Sequence, residues 1–171
     1  MRSVREEARG EIRAAVRRMV INAGGEMILR PVFRDRPDLG SSAFTEPEPL
    51  AGIRAAASLQ FEAGQAISSA ARDAREDGLS WDQIGQALYP AEPAEDEEPR
   101  AVRAFDRLAT SYSEWESPTF TWTCPACLKR ISDYGPEADG HPTEIERGHS
   151  DDCTRIAEAI GVYEAWWEDD E

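Results

Sequence analysis

Two short segments hold all three cysteines and one of the two histidines of this 171-residue chain. Cys124 and Cys127 are separated by two residues in "TCPACL", and His149 and Cys153 are separated by three residues in "GHSDDC". A Cys-x2-Cys turn brings two sulfurs to one point, and thiolate and imidazole are the ligands that zinc prefers in a tetrahedral site. The two clusters therefore predict one metal site, with zinc as its expected occupant.

The residues around these clusters have the patterns of a small α+β module. Phe120 and Trp122 alternate with threonines, which is typical of a strand, and "LKRI" is suited to return as its hairpin partner. His149 and Cys153 are four positions apart, the spacing that brings two side chains onto one face of the first turn of a helix. A knuckle and a helix start that each supply two ligands resemble a treble-clef zinc finger.

The other histidine, His141, is the competing ligand, but only His149 has the helical offset to Cys153, so we expect His141 to lie in a loop. Four protein ligands close a zinc site, whereas a catalytic zinc keeps one position open for water or substrate. We therefore expect a structural zinc. Its loss is expected to loosen the chain from about residue 119 onward and to leave the helices before Tyr112 intact.

The sequence before the cysteines is helical by its apolar spacing. A first amphipathic helix is predicted over residues 3–22, and residues 34–49, rich in Pro, Gly and Ser, are predicted to form a loop. A third helix begins at the capping box of Ser80 and Gln83, and a fourth follows Pro99. The second helix is predicted to pack on the first through a seam of mostly small residues: Ile53, Ala57, Gln60, Gly64, Ile67, Ala71 and Ala74.

One stretch, "AARDAREDGLSWDQIGQAL", resembles the opening of helix-turn-helix domains in small regulators of high-GC Gram-positive bacteria. In those domains an Ala/Arg-rich helix precedes a Ser-Trp-x-x-Ile-Gly-x-Ala-Leu helix. Its combination with "FTWTCPACLKRISDYGPEADGHPTEIERGHSDDCTR" is similar to uncharacterised small proteins of the same bacteria, over roughly residues 50 to 165. The likeness implies a helix-turn-helix-like region and a CxxC...HxxxC zinc finger, and it implies no particular function.

These patterns predict a mainly α protein. The expected architecture is a helical, helix-turn-helix-like bundle with a small treble-clef-like zinc-binding α+β module at the C-terminus. We place the helical domain at 1–114, with the helix-turn-helix-like segment at 66–110, and the zinc-finger module, its C-terminal helix and an acidic tail at 115–171. A chain of this length can bury one good core plus a small satellite module.

The charge of the chain is concentrated in its second half. Residues 1–79 hold 12 Arg against 12 Asp+Glu, whereas residues 80–171 hold 7 Lys+Arg against 22 Asp+Glu, which accounts for the formal net charge of −15. Such a surface repels phosphate backbones and suits a basic protein partner. We therefore predict a non-catalytic, zinc-stabilised regulatory or interaction protein that binds another protein through an acidic surface.

The alternative function is that of a sequence-specific DNA-binding transcriptional regulator. Arg100, Arg103 and Arg107 lie on one face of the fourth predicted helix, where they would contact nucleic acid. The ten residues between Leu88 and Pro99 are much longer than a helix-turn-helix turn, and they include five acidic residues that would sit beside the phosphates. The arginines are also suited to neutralise that acidic loop.

An enzyme is the least favoured class, because the sequence contains no nucleophile motif and no phosphate-binding loop. Once zinc binds His149 and the three cysteines, His141 is the only histidine left to act as a catalytic base. The longest apolar runs are too short to span a bilayer, and no secretory signal is apparent, so we expect a cytoplasmic protein without membrane contact. Association between copies of the chain through the N-terminal helices is a further expectation.

Overall fold

The computed structural model describes residues 4–31, 43–91, 98–111 and 116–168, which form six helices and two small antiparallel sheets. The helices are α1 (Val4–Asn22), α2 (Pro49–Glu76), α3 (Trp81–Leu88), α4 (Arg100–Leu108), α5 (Pro142–Ile145) and α6 (Thr154–Glu168). The strands are β1 (Met27–Pro31), β2 (Ala43–Pro47), β3 (Phe120–Thr123), β4 (Arg130–Asp133) and β5 (Glu146–Arg147). About 57% of the described residues are helical, which confirms the mainly α class. None of the described helices is both long enough and apolar enough to cross a bilayer.

The chain divides into two compact units, Met1–Ala66 and Ile67–Glu171, and the division falls within α2. The domain boundary expected at residue 114 stays a prediction. In the first unit, β1 and β2 form a two-stranded antiparallel sheet. The prediction of a loop over residues 34–49 is therefore wrong at residues 43–47, which form β2. Both strands of such a sheet are edges, and an edge strand tolerates proline, so Pro47 did not prevent the pairing.

The seam predicted along α2 is buried only in its C-terminal part, where it packs against the core of the second unit, so the prediction that it packs on α1 is not confirmed. Ala71 is buried in the second unit, where Ile67 packs against the same core. In the first unit, however, Ile53 is exposed, and the groove between α1 and α2 is lined on the α2 side by Leu59 and its neighbours. Alanine occurs on every face of α2, so the periodicity of small residues does not distinguish the face that α1 covers.

Two sequence signals fix the path from α2 into α3. Gly78 has a φ of +90°, and the N–H of Leu79 donates to the carbonyl of Ala74 at 2.9 Å, which closes the end of α2. The predicted capping box then starts α3, with the side chains and backbones of Ser80 and Gln83 bonded reciprocally.

Helix α3 lies very close to the start of α4 at Gly85. A Cβ atom built on Gly85 would lie 2.5 Å from the carbonyl oxygen of Arg100, so only glycine permits this approach. The glycine of "WDQIGQAL" is therefore a packing requirement of the helix pair.

The second unit has one core that joins its helices to its sheet. Trp81 of α3 packs edge-to-face against Phe105 of α4 and Phe120 of β3, with ring centroids 5.2 Å and 5.1 Å away. The same cluster contains two of the cysteines, Cys124 and Cys153. The Cys/His cluster therefore shares its core with α3 and α4.

The sheet of the second unit has the order β3-β4-β5, which leaves one edge of β3 without a partner strand. Two side chains one turn apart on α2 bond to that edge. Arg72 Nε donates to the carbonyl of Thr121 at 3.2 Å, and Glu76 Oε1 accepts from the N–H of Thr123 at 3.1 Å. They satisfy two of the backbone groups that a further strand would use.

Candidate metal centre

The first two candidate ligands lie on a tight knuckle that follows β3. The N–H of Cys124 donates to the carbonyl of Lys129 at 2.9 Å, and the N–H of Leu128 donates back to the carbonyl of Cys124 at 2.7 Å. Leu128 adopts a φ of +57°, a left-handed conformation that is uncommon for a bulky residue, and its side chain is 79% exposed. The hairpin of β3 and β4 thus holds Cys124 and Cys127 at its tip, as the sequence predicts.

The other two candidate ligands lie on the turn between β5 and α6. Helix α6 begins at Thr154, so the prediction that His149 and Cys153 share the first turn of a helix is wrong. A hydrogen bond of 3.0 Å from the N–H of Cys153 to the carbonyl of Ser150 closes a turn directly before the helix, and this turn brings the two side chains together.

Gly148 sets the start of this turn. Its φ is +108°, and a Cβ atom there would lie 2.6 Å from the carbonyl oxygen of Arg130. Glycine is therefore required beside His149 both by conformation and by close contact with β4.

The four side chains converge as one ligand set. One ligand atom of each of Cys124, Cys127, His149 and Cys153 lies within 4.8 Å of all the others. The two buried sulfurs, of Cys124 and Cys153, are 3.8 Å apart, and His149 Nδ1 lies 3.7 Å from the sulfur of Cys127 and 3.3 Å from that of Cys153.

These distances agree with a tetrahedral site. Zn–S bonds of about 2.3 Å and Zn–N bonds of about 2.0–2.1 Å at tetrahedral angles place sulfurs about 3.8 Å apart and a nitrogen about 3.6 Å from each sulfur. The Cys3His cluster is thus compatible with one metal ion bound through Nδ1 of the histidine. Soft thiolates with one imidazole are a donor set suited to zinc.

The thiols of the cluster differ in how readily they ionise. Burial raises the pKa of the Cys124 thiol above its ordinary value. Burial also acts on Cys127, but the backbone groups of Ser150 and Lys129 and the side chain of His149 outweigh it and lower the pKa of that thiol to about 6. The Cys127 thiol is therefore largely ionised at neutral pH, whereas the Cys124 thiol must lose a proton before it can bind a metal.

Glu146 orients the imidazole from outside the cluster. Its Oε2 lies 3.2 Å from Nε2 of His149, on the opposite side of the ring from the sulfurs. Its other oxygen, Oε1, forms an ion pair with the guanidinium of Arg75 on α2. A carboxylate on the second nitrogen of a metal-binding histidine fixes the tautomer that leaves the first nitrogen free to bind.

Arg75 is itself held in a buried polar network. Its Nε and Nη2 lie 3.1 Å and 3.0 Å from Oδ2 of Asp133, which also accepts from Trp81 Nε1 at 3.0 Å. Burial raises the pKa of Asp133, although the Arg75 guanidinium opposes that shift. Sequence reasoning missed Glu146, Arg75 and Asp133. The sole local signal is the position of Glu146 three residues before His149, because Arg75 lies 71 residues away from Glu146.

The remaining predicted site residues lie elsewhere. His141 is the N-cap of α5, where its Nδ1 accepts from the N–H of Thr143. On α4, Arg100 Nε donates to the carbonyl of Ala91 at 3.2 Å, and the guanidinium of Arg103 stacks 4.3 Å from the ring of Tyr89. Arg107 is exposed, and residues 92–97 of the acidic loop lie outside the described residues.

No protein-family model, curated protein or solved structure matches this chain. The chemistry of the cluster and the surfaces around it therefore carry the functional argument.

Proposed function

We propose that this chain is a non-catalytic interaction protein, and that Cys124, Cys127, His149 and Cys153 bind one structural Zn²⁺ in a treble-clef-like module. The observation that carries the proposal is the convergence of four donor atoms within 4.8 Å of one another. Four protein ligands complete a tetrahedron, whereas catalytic zinc sites retain an open position for water or substrate. The protein thiols favour a reducing compartment such as the cytoplasm.

The metal part of the proposal is tested by elemental analysis of purified protein and of two histidine variants. We expect about one equivalent of zinc per chain, as one tetrahedral site requires. The His149→Ala variant should lose the metal, and the His141→Ala variant should retain it because that side chain caps α5. Zinc loss in His141→Ala together with zinc retention in His149→Ala would refute this ligand set.

The surface of α6 is our candidate for the binding face. Trp166 is 79% exposed and Val162, one turn earlier, is 67% exposed. Glu158 lies a further turn back and is also exposed, so the three side chains form a stripe of mixed apolar and acidic character. Exposed tryptophan is enriched at the centres of protein interfaces, and a carboxylate beside it favours a partner with a basic surface.

The interaction part is tested by affinity capture from the source cells with zinc-loaded wild type and with a Val162→Ser/Trp166→Ser variant. We expect wild type to retain a basic protein that added salt releases, and the variant to lose it while keeping its zinc. Nucleic acid in place of protein on the wild-type resin, lost when Arg100, Arg103 and Arg107 are changed together, would instead favour the DNA-binding regulator. A partner retained equally by both proteins would exclude α6 as the binding face.

A further inference from the structure

The first unit exposes more large hydrophobic side chains than it buries. In the described part of Met1–Ala66, the buried hydrophobic residues are Val20 and Ala55. Seven large hydrophobic side chains of the same unit are exposed: Ile12, Ile21, Leu29, Phe44, Leu50, Ile53 and Phe61. A unit of this size must bury more than half of the surface of its unfolded chain to be stable. The apolar surface of the described part of this unit is therefore available to a covering partner.

Part of this surface is a continuous stripe along α2, which we call the α2 stripe: Leu50, Ile53, Ala57, Phe61 and Gly64. All five residues are exposed, and the three large ones are 60%, 63% and 64% accessible. At about 100° per residue they lie within an arc of about 80° and extend over about 21 Å of the helix. Leu59, on the opposite face, lines the groove toward α1, so α1 leaves the stripe uncovered.

The spacing of the α2 stripe reads the same in both directions. Its steps are three, four, four and three residues, symmetric about Ala57. We propose that a second copy of this chain packs antiparallel on the stripe, with the two-fold axis beside Ala57. Leu50 of one copy then lies opposite Gly64 of the other, and Ile53 lies opposite Phe61. Large residues meet small ones at the ends, and the two alanines let the helices approach closely at the centre.

The repeat also suits a pair of supercoiled helices. Its four steps span 14 residues and average about 3.5 residues per turn, the heptad period, so we expect the two helices to wind around each other with a left-handed supercoil. The interface is isologous, as a closed dimer requires.

Charge favours a second copy at this place. Within residues 49–66 the charged residues are Arg54 and Glu62, so the helix surface is neutral. The five residues of the α2 stripe are themselves uncharged, so no like charges meet where two copies pack on it. The excess of acid over base in residues 80–171 would instead drive two copies apart if they met through that part of the chain.

The proposal is tested by sedimentation equilibrium on the zinc-loaded full chain over a concentration series. We expect wild type to approach twice the mass of the 19.0 kDa chain. An Ile53→Glu/Phe61→Glu variant should raise the dimer dissociation constant by at least about hundredfold, because it places unpaired carboxylates in the contact. The matched control is Ala66→Glu/Ser69→Glu, which adds the same charge at exposed positions of α2 away from the stripe and should dimerise like wild type.

Circular dichroism and zinc content establish that each variant is folded. A wild type that stays monomeric throughout the series overturns the proposal, and so does equal weakening of the dimer in both double variants. This outcome is independent of the proposed partner on α6, whose residues are unchanged.

Cysteine cross-linking tests the orientation. Leu50→Cys and Gly64→Cys variants are mixed under mild oxidation, with zinc bound to the native cysteines so that these do not cross-link. The antiparallel arrangement predicts a disulfide between the two different variants and little cross-linking of either alone. Cross-linking of Leu50→Cys chiefly with itself would overturn the antiparallel arrangement.

Discussion

The carboxylate of Glu146 contacts Nε2 of His149 at 3.2 Å, while Nδ1 of the same ring faces the sulfurs of Cys127 and Cys153. The imidazole thus lies between a fixed acceptor and the candidate metal position. Because Glu146 also pairs with Arg75, a helix more than 70 residues earlier in the sequence helps to set the orientation of a candidate metal ligand.

Replacement of Glu146 by Gln is expected to weaken zinc binding by about 10–100-fold, because the amide no longer provides a charged acceptor for the Nε2 proton. The change preserves the shape of the side chain. Affinity is measured by competition with a chromophoric chelator. Glu144→Gln, an exposed position on α5, is the control and should bind zinc like wild type. An equal loss in both variants would mean that Glu146 has no specific role.

Removal of zinc is expected to loosen α3 and α4 as well as the sheet. Trp81 and Phe105 share one core with Cys124 and Cys153, so the helices depend on the same packing as the candidate metal ligands. This expectation replaces the one drawn from sequence, in which the helices before Tyr112 survive metal loss.

Hydrogen exchange on wild type and on Cys153→Ser measures this coupling. We expect residues 81–88 and 100–108 to lose most of their protection in the variant, because the buried sulfur and the metal are lost together. Protection in those helices that remains at the wild-type level would show that the zinc module folds separately.

Zinc affinity is expected to rise with pH. A metal binds the thiolate, so a proton on Cys124, whose pKa burial raises, competes with it across the neutral range. The dissociation constant should fall at least about tenfold per pH unit between about pH 6 and pH 8.

Below about pH 6 the dependence should steepen. The pKa of Cys127 is lowered to about 6, so its thiolate also takes up a proton there, and the second competing proton adds about another tenfold per unit. Chelator competition in a series of buffers gives the slope. Affinity that is flat from pH 6 to pH 8 would contradict a raised pKa for Cys124.

The Gly85→Ala substitution is expected to destabilise the protein by about 1–3 kcal/mol, because the added methyl group would overlap the carbonyl of Arg100 and force α3 away from α4. Gly161→Ala on α6 is the matched control. Space around Gly161 is open, and alanine favours a helix, so that variant should gain about 0.5–1 kcal/mol. Chemical denaturation of the zinc-loaded proteins compares the two. A Gly85→Ala variant with the same free energy of unfolding as wild type would show that the two helices can move apart without loss of stability.

Local chemistry made much of the second unit predictable. The knuckle follows from Cys124 and Cys127, and the start of α3 follows from the capping box of Ser80 and Gln83, since each depends on residues close in sequence. The sequence predicted correctly that His149 and Cys153 lie close together, but it predicted a helix where the structure has a turn. A four-residue offset fits a closed turn as well as a helix.

Long-range contacts were beyond prediction from the sequence. The pairing of Arg75 with Asp133 and Glu146 joins residues far apart in the chain, and no periodicity indicates which of many arginines and acids will meet. The covered face of α2 was missed for a related reason. Its alanines give every face a similar character, so tertiary packing alone decides which side is buried.

The bonds from Arg72 and Glu76 to the edge of β3 have a consequence for the newly made chain. Helix α2 leaves the ribosome before β3, so the groups that close this edge are in place when the strand emerges. An open edge next to Phe120 and Trp122 is a template for strand addition by a neighbouring chain, the first step of aggregation. The order of synthesis thus gives the strand an intramolecular partner before it can meet an intermolecular one.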